Sequence, residues 1–220
     1  MTDRTWEQWN KPDVVTGLAK EFDTEPVSAS VEELRRIRDQ YGARSMLDVG
    51  CGTGRFYTHA KALGYSYTGV DVTPLMVEHC RKRYPDGDFR AGDIYDLDFK
   101  DGEFDLVFCH DVIVHIPSVA DALQELYRVS NAIVFLRIPY VWNLEERVMK
   151  SPDGSVSTTF NFSDIFGVQF LMGAARVEVS TIAIGDITEA TSKNDVRQLY
   201  TCVKYRGERP KYGVHIYRGE

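Results

Sequence analysis

The middle of the chain alternates between short apolar runs and helix-length amphipathic stretches. Ser45 to Val49 reads as a strand, followed by a glycine-rich loop and a helix to about Leu63 that Gly64 stops. Tyr65 to Val70 reads as a second strand, ending at Asp71. Thr73-Pro74 supplies an N-cap and a proline at the first helical position, opening a helix to about Tyr84. Asp88 to Ala91 is a weaker third strand. Asp101-Gly102 is a turn before an apolar fourth strand, Phe104 to Cys109. Ser118 caps a helix to about Val129, and Ala132 to Ile138 forms a fifth strand. Strands alternating with helices imply parallel pairing and right-handed crossovers. Their nearly continuous apolar character implies a sheet covered on both faces.

The two ends break this rhythm. Residues 1–29 carry Trp6, Trp9, Pro12 and Pro26 with little periodicity, and they read as a cap or lid appended to a single domain spanning 1–220. Ser30-Val31-Glu32-Glu33 reads as a capping box opening a helix to about Gln40, with Gly42 as its stop. Residues 139–175 read as an acceptor-binding insertion; within them Val141 to Phe162 holds a Pro152-Asp153-Gly154 turn and is a hairpin or a loop, and Ser163 to Ala174 reads as a helix. Arg176 to Ile184 and Val196 to Tyr205 read as strands with no crossover helix between them, which suggests an antiparallel edge strand; Tyr212 to Tyr217 is a further strand candidate.

Composition narrows the function classes. The 220 residues suffice for one sizeable core, and no run is long enough to span a bilayer. No signal peptide is read at the N-terminus. A formal net charge of −7 disfavours broad nucleic-acid binding. The basic clusters Arg35-Arg36-Ile37-Arg38 and Arg81-Lys82-Arg83 fall on predicted helices and read as solvated faces. Cys51, Cys80, Cys109 and Cys202 form no C-x-x-C pair, so they read as reduced thiols of a cytoplasmic protein, without metal or disulfide. Nothing in the pattern fixes an oligomeric state.

The chemistry concentrates in Leu47-Asp48-Val49-Gly50-Cys51-Gly52-Thr53-Gly54, between the first strand and the first crossover helix. Glycines there allow positive φ and close approach of a ligand to the backbone, and amides at a helix start favour a negative group. Asp71 ends the next strand roughly 20 residues on, the distance at which a carboxylate meets ribose hydroxyls. Two nucleoside cofactors fit such a loop. The dinucleotide fingerprint spaces its glycines G-x-G-x-x-G, whereas here the spacing is G-x-G-x-G. Asp48, just before the loop, would repel a pyrophosphate and attract an ammonium. S-adenosylmethionine (SAM) offers an ammonium, a carboxylate, a sulfonium and a ribose, so the pair Asp48 and Asp71 favours SAM over a nicotinamide cofactor.

The segment Asp48 to Gly54 resembles motif I of the class I SAM-dependent methyltransferases, and Asp71 matches the acidic residue after their second strand. Ala91-Gly92-Asp93-Ile94 resembles the segment after their third strand, and Asp101 to Val107 the approach to their fourth. Val114-His115-Ile116-Pro117 resembles the segment after that fourth strand in the small-molecule subgroup. The resemblance implies a doubly wound, mostly parallel α/β sheet of seven strands with one antiparallel strand. It implies that Gly50, Cys51, Gly52 and Gly54 surround the methionine moiety and that Asp71 holds the ribose. Val72 and Met76 would pack on the adenine, Met76 having simple helix packing as its alternative, while Asp93 with Ile94 would meet the adenine edge. Cys109 and His110, ending the fourth strand, would lie beside the cofactor.

The expected activity is methyl transfer from SAM to a small-molecule O- or N-nucleophile, with S-adenosylhomocysteine (SAH) as product. A methyltransferase acting on protein or RNA, a non-catalytic SAM-binding module and, more remotely, a nicotinamide oxidoreductase are the alternatives. Tyr140, Trp142, Phe160 and Phe162 either line an aromatic acceptor pocket or pack in the core. His110 is the candidate general base, since imidazole titrates near neutrality. His115 reads as structural; a helical turn after the fourth strand would place it four residues from Asp111, within hydrogen-bonding reach.

Overall fold

Four strand segments are apolar runs that bury both faces, and a fifth, at the edge of the sheet, buries only Phe89. β1 (Ser45–Val49), β2 (Ser66–Asp71), β3 (Asp88–Ala91), β4 (Phe104–His110) and β5 (Ser130–Pro139) pair in parallel, in the lateral order β3-β2-β1-β4-β5. The computed structural model describes residues 5–24, 27–139, 147–150, 156–159, 174–183 and 196–204. Strand alternation divides the core. Leu47, Val49, Val107, Cys109, Val134 and Leu136 face one side, where α5 (Val119–Val129) contributes Leu123 and Leu126. Met46, Tyr67, Leu106, Phe108, Ile133 and Phe135 face the other. That side is covered by α2 (Ser28–Tyr41) through Leu34 and Ile37, α3 (Tyr57–Ala62) through Ala60, and α4 (Pro74–Arg83) through Val77 and Cys80.

The order reverses between β1 and β4. Chain leaving β1 turns toward β2 and chain leaving β4 turns toward β5, which opens a crevice at their carboxyl ends. The functional site takes its place from this crevice.

Beyond β5 the pairing continues with β9 (Val196–Lys204) and then β8 (Ala174–Ala183). β9 is antiparallel to both neighbours, so the reversed strand lies one position in from the edge instead of forming it. An antiparallel neighbour needs no crossover helix, and β9 occupies the place beside β5. The segment open to two readings contains β6 (Arg147–Lys150) and β7 (Val156–Thr159), which pair antiparallel, the hairpin reading. The helix expected over 163–174 and the strand expected over 212–217 lie outside the described residues, except that Ala174 already belongs to β8.

Two local expectations are corrected. Ser30 does not cap α2: the helix begins at Ser28, its N-cap position is Val27, and Ser30 is a buried residue of the first turn with its hydroxyl turned toward β4. The N-terminal region, read as weakly patterned, contains a 3-10 turn over Thr5–Trp9 and a regular helix, α1 (Pro12–Thr24). Pro12 suits a first helical position, where no amide donor is required. Gly42 does stop α2, in the left-handed conformation at φ 71°. The basic clusters are helix-surface charges paired locally, Arg35 with Glu32, Arg36 with Glu33 and Lys82 with Glu78. No helix among the described residues is long and apolar enough to cross a membrane.

Phe108 is the centre of the packing under the crevice. Its ring stacks on Phe135 with centroids 4.9 Å apart and meets Phe56 edge-on at 4.7 Å, and it is fully buried. Replacing it with alanine removes contacts with both rings on one face of the sheet and leaves a cavity that stacked rings cannot collapse to fill. Phe108→Ala is expected to lower unfolding free energy by about 3–5 kcal/mol in urea titrations. A loss below about 1 kcal/mol would show that the ring is not a packing centre.

Candidate functional site

The glycine loop is held by backbone bonds to the neighbouring strand. Gly50 N and Cys51 N both donate to Val70 O, at 2.7 and 3.0 Å. Gly50, Gly52 and Gly54 all have positive φ, at 76°, 53° and 79°. At Gly50 the requirement is double, because an added Cβ would stand 2.3 Å from Val112 Cγ2 as well as being strained. The chain after β4 therefore rests directly on the chain after β1.

Asp71 fastens the loop. Its Oδ2 accepts from Gly52 N at 2.9 Å and its Oδ1 from Thr73 N at 2.8 Å. Burial raises its carboxyl above the usual carboxylate range, and the two backbone donors oppose the rise. The N-cap expected of Thr73 is present in backbone geometry, but the side chain makes no capping bond; Asp71 holds the Thr73 amide instead. The Thr73 carbonyl accepts from Met76 N and Val77 N, starting α4.

Asp48 is 2% exposed and lies beneath the loop. Tyr67 donates its hydroxyl to Asp48 Oδ2 at 2.6 Å. Burial pushes Asp48 up to about 7; the Tyr67 bond opposes the rise and the charge of Asp71 adds to it. The pair of carboxylates is therefore real in space, but Asp48 is a buried group near its titration point and not an open anchor.

The other expected cofactor residues divide. Met76 is buried yet belongs to neither core cluster, and Val72 is half-buried beside Asp71. Ile94 packs into the α5-side core, whereas Asp93 is exposed and accepts from Tyr95 N at 3.1 Å. Cys51 and Cys109 are buried. The Cys51 thiol is raised first by its hydrogen bond with Cys80, then by burial; that of Cys109 is raised chiefly by burial. Both are poor nucleophiles in this state.

At the end of β4, His110 points to the α2 and α3 side. Its side chain is 7% exposed, with its ring 4.6 Å from that of Phe56 and stacked on Phe108. Nε2 lies 3.1 Å from Ser30 Oγ, and Nδ1 lies 3.7 Å from Asp111 Oδ2. The helical turn that would join Asp111 to His115 does not form. Asp111 adopts φ 58°, and its carboxylate pairs with Arg137. His115 closes a 3-10 turn (Ile113–His115), its ring 5.1 Å from that of Trp9.

The N-terminal elements lie over this end of the sheet. Phe22 of α1 is the neighbour that a side chain at Gly52 would meet, at 3.7 Å, and the Arg55 guanidinium sits over the Phe22 ring. Asp23 pairs with Arg83, and Asn10 Oδ1 accepts from Leu75 N at 3.2 Å.

Sequence reasoning missed Ser30 as a site neighbour, Thr53, Val112 and Arg137. Thr53 Oγ1 is buried in the loop with no hydrogen-bond partner among the described residues. Arg137 carried a readable signal, a lone cation closing the apolar run from Ala132. Ser30 and Val112 carried none, because their roles depend on contacts between elements far apart in sequence. Tyr140, Trp142, Phe160 and Phe162 lie outside the described residues. Among the described residues no group of three or more His, Cys, Asp or Glu side chains is arranged to hold a metal ion.

Comparison with known proteins meets this geometry. Residues 47–132 match a family described as "Methyltransferase domain". A malonyl-[acyl-carrier protein] O-methyltransferase of Erwinia billingiae is 32% identical over 100 residues, 46% of this chain and 40% of that protein. The chain thus spans about two fifths of the length of this curated relative. Magnesium protoporphyrin IX methyltransferase of Synechocystis, solved with bound SAH, shares the fold at TM-score 0.65 and 16% identity, over 92% of this chain and 100% of that one. A SAM-dependent methyltransferase of Mesorhizobium loti shares it at TM-score 0.60 and 17% identity, over 74% of this chain and 91% of the other. Residues 47–132, which hold the glycine loop and Asp71 at the reversal of an α/β sheet, match the methyltransferase-domain family, and the chain shares the fold of solved SAM-dependent methyltransferases.

Proposed function

We propose that the protein transfers the methyl group of SAM to a small-molecule oxygen or nitrogen nucleophile in the cytoplasm. The observation that carries this reading is the loop from Gly50 to Gly54, fastened by Asp71 at the sheet reversal. Its glycines are left-handed, and its buried Thr53 hydroxyl has no partner among the described residues. The residues fit the cofactor. Asp71 would accept from the ribose hydroxyls, the loop amides and Thr53 would meet the amino-acid end, and Val72, Met76, Asp93 and Ile94 would flank the adenine. SAM supplies an electrophilic methyl group on a sulfonium; the protein's task is to align the acceptor and exclude water. The strand order supports the seven-stranded form with one reversed strand that the family resemblance implies. His110 enters as the proton-accepting side chain of the acceptor end, available once Ser30 releases Nε2. A small acceptor is favoured over protein or RNA by the net charge of −7 and by basic helix faces already paired to acidic neighbours.

The contacts of α1 and the preceding turn support a lid formed by the N-terminal residues. Hydrogen exchange over residues 12–24 should slow when SAH is added, because Phe22 and Asn10 touch the loop and α4 that the cofactor would order. Exchange that is indifferent to SAH would make α1 a fixed structural helix.

Asp71→Ala should weaken SAH binding by about 1–3 kcal/mol in calorimetry, the scale of hydrogen bonds to a charged group. Unchanged affinity in a folded variant would remove Asp71 from the site, and binding of NAD without SAH would overturn the cofactor assignment.

Asp48 gives a pH signature whose sign is fixed. Its folded value of about 7 lies above the ordinary 3.8, so the fold binds the proton more tightly than the unfolded chain. The contribution is favourable at low pH and is lost as pH rises through about 7. Asp48→Asn should therefore change the stability of the cofactor-free protein little near pH 4 and raise it at pH 8 by up to about 4 kcal/mol. The same variant should abolish a rise in SAH affinity between about pH 6 and 8 that the ammonium would gain from ionised Asp48. Parallel stability curves for the two proteins would contradict the assignment.

A further inference from the structure

Two cysteines far apart in sequence meet beneath the glycine loop. Cys51 belongs to the loop and Cys80 to the second half of α4, and both side chains are buried. Their sulfurs converge on one carbonyl: Gly52 O lies 3.1 Å from Cys80 Sγ and 3.9 Å from Cys51 Sγ. The two thiols are also hydrogen-bonded to each other. Glycines on both sides leave the space they fill. A Cβ at Gly54 would stand 3.2 Å from Cys80 Sγ, and one at Gly69, inside β2, would stand 3.1 Å from Cys51 Sγ; each would crowd an aromatic ring as well. Glycine weakens a strand interior and often marks a place where another group comes close.

We propose that Cys51 and Cys80 form a disulfide under oxidation by a peroxide, and that this bond turns off cofactor binding at the glycine loop. Cys51, 6% exposed, is the sulfur an oxidant reaches first, since Cys80 is fully buried. The Cys51 thiol gives up its proton and its sulfur attacks one oxygen of hydrogen peroxide; the O–O bond breaks, and the departing hydroxide leaves as water with that proton. The Cys80 sulfur then attacks the sulfenic acid on Cys51. The S–S bond forms as the S–O bond breaks, and the second hydroxide leaves as water with the Cys80 proton. The two thiols lose two electrons and two protons in all, and the peroxide is reduced to two waters. The hydrogen bond from Cys80, and then burial, keep the Cys51 thiol protonated at rest, so the pair reacts slowly and faster as pH rises.

The effect on the site follows from bond lengths. A disulfide is about 2.05 Å long, well short of a hydrogen-bonded contact, so the loop and α4 must be drawn together. Oxidation also removes the proton that Cys80 donates to Gly52 O. Gly52 is the residue whose amide Asp71 holds. Displacing it disturbs the tie between the loop and the carboxylate assigned to the ribose. The switch rests on the SAM reading of this loop and adds a redox control to it.

The test treats the full chain with hydrogen peroxide at about pH 8, where thiols begin to ionise. Samples are alkylated under denaturing conditions without reductant and mapped by mass spectrometry. SAH affinity is measured by calorimetry before oxidation, after it, and after dithiothreitol. The expected product is lighter by two hydrogens, joins the peptides of Cys51 and Cys80, binds SAH at least about tenfold more weakly, and recovers on reduction. Cys80→Ala should bind SAH as the unaltered protein does and keep that affinity through peroxide treatment; Cys80→Ser, which fills the same space, serves if the alanine variant does not fold. No crosslink, a crosslink to Cys109 or Cys202 instead, or a Cys51–Cys80 crosslink that leaves SAH affinity unchanged would each overturn the switch while leaving the cofactor reading intact. A reduced protein that binds no SAH would overturn the cofactor reading, and the switch with it.

Discussion

The site depends on how the chain leaving β1 satisfies its backbone amides. Three glycines turn the loop outward, and an unsatisfied amide buried there would be costly. The second strand supplies the acceptors: Val70 O takes two of the amides and Asp71 takes that of Gly52. Because Asp71 also takes the Thr73 amide, one carboxylate sets both the loop before α3 and the start of α4. The crevice at the sheet reversal is thus tied across two crossovers by a few directed bonds, and the side chains that line it inherit their positions from that tie.

This arrangement concentrates negative charge where burial makes it expensive. Asp48 and Asp71 are both raised by burial, and the charge of Asp71 adds to the cost of ionising Asp48. A nearby positive charge would lower that cost, because it favours the ionised form of both carboxylates. Asp111 with Arg137 solves the problem differently, by pairing the carboxylate with a buried cation of the sheet. One solution lies beneath the glycine loop and the other follows the end of β4.

The N-terminal elements bind these parts from above through unlike contacts. An aromatic edge joins Trp9 to His115, a side-chain carbonyl caps Leu75, and Phe22 lies between the loop and Arg55. α2 adds Ser30 against His110. These contacts sit beside the buried Val15 and Ala19 of α1.

The sequence by itself determined the alternating strands and helices, the glycine loop, Asp71 and the place of the crevice. Those features are local: a nearly continuous apolar run, a turn that only glycine makes easily, and a proline at a helix start are each decided within a few residues. It also determined that Asp48 lies beside the loop, though not that burial would bring it near neutral titration, since desolvation depends on what covers a group. Tertiary structure decided the rest. Ser30 looked like a helix cap because its neighbours spell a capping box, yet the helix starts earlier and the hydroxyl turns to His110 across the core. Asp111 looked like a partner for His115 at helical spacing, but the left-handed turn directs it to Arg137, a residue 26 positions away brought near by parallel register. The reversed strand was legible as a missing crossover, whereas its place between β5 and β8 was not. Lateral strand order depends on which edges remain open when the sheet assembles, and no local pattern encodes that.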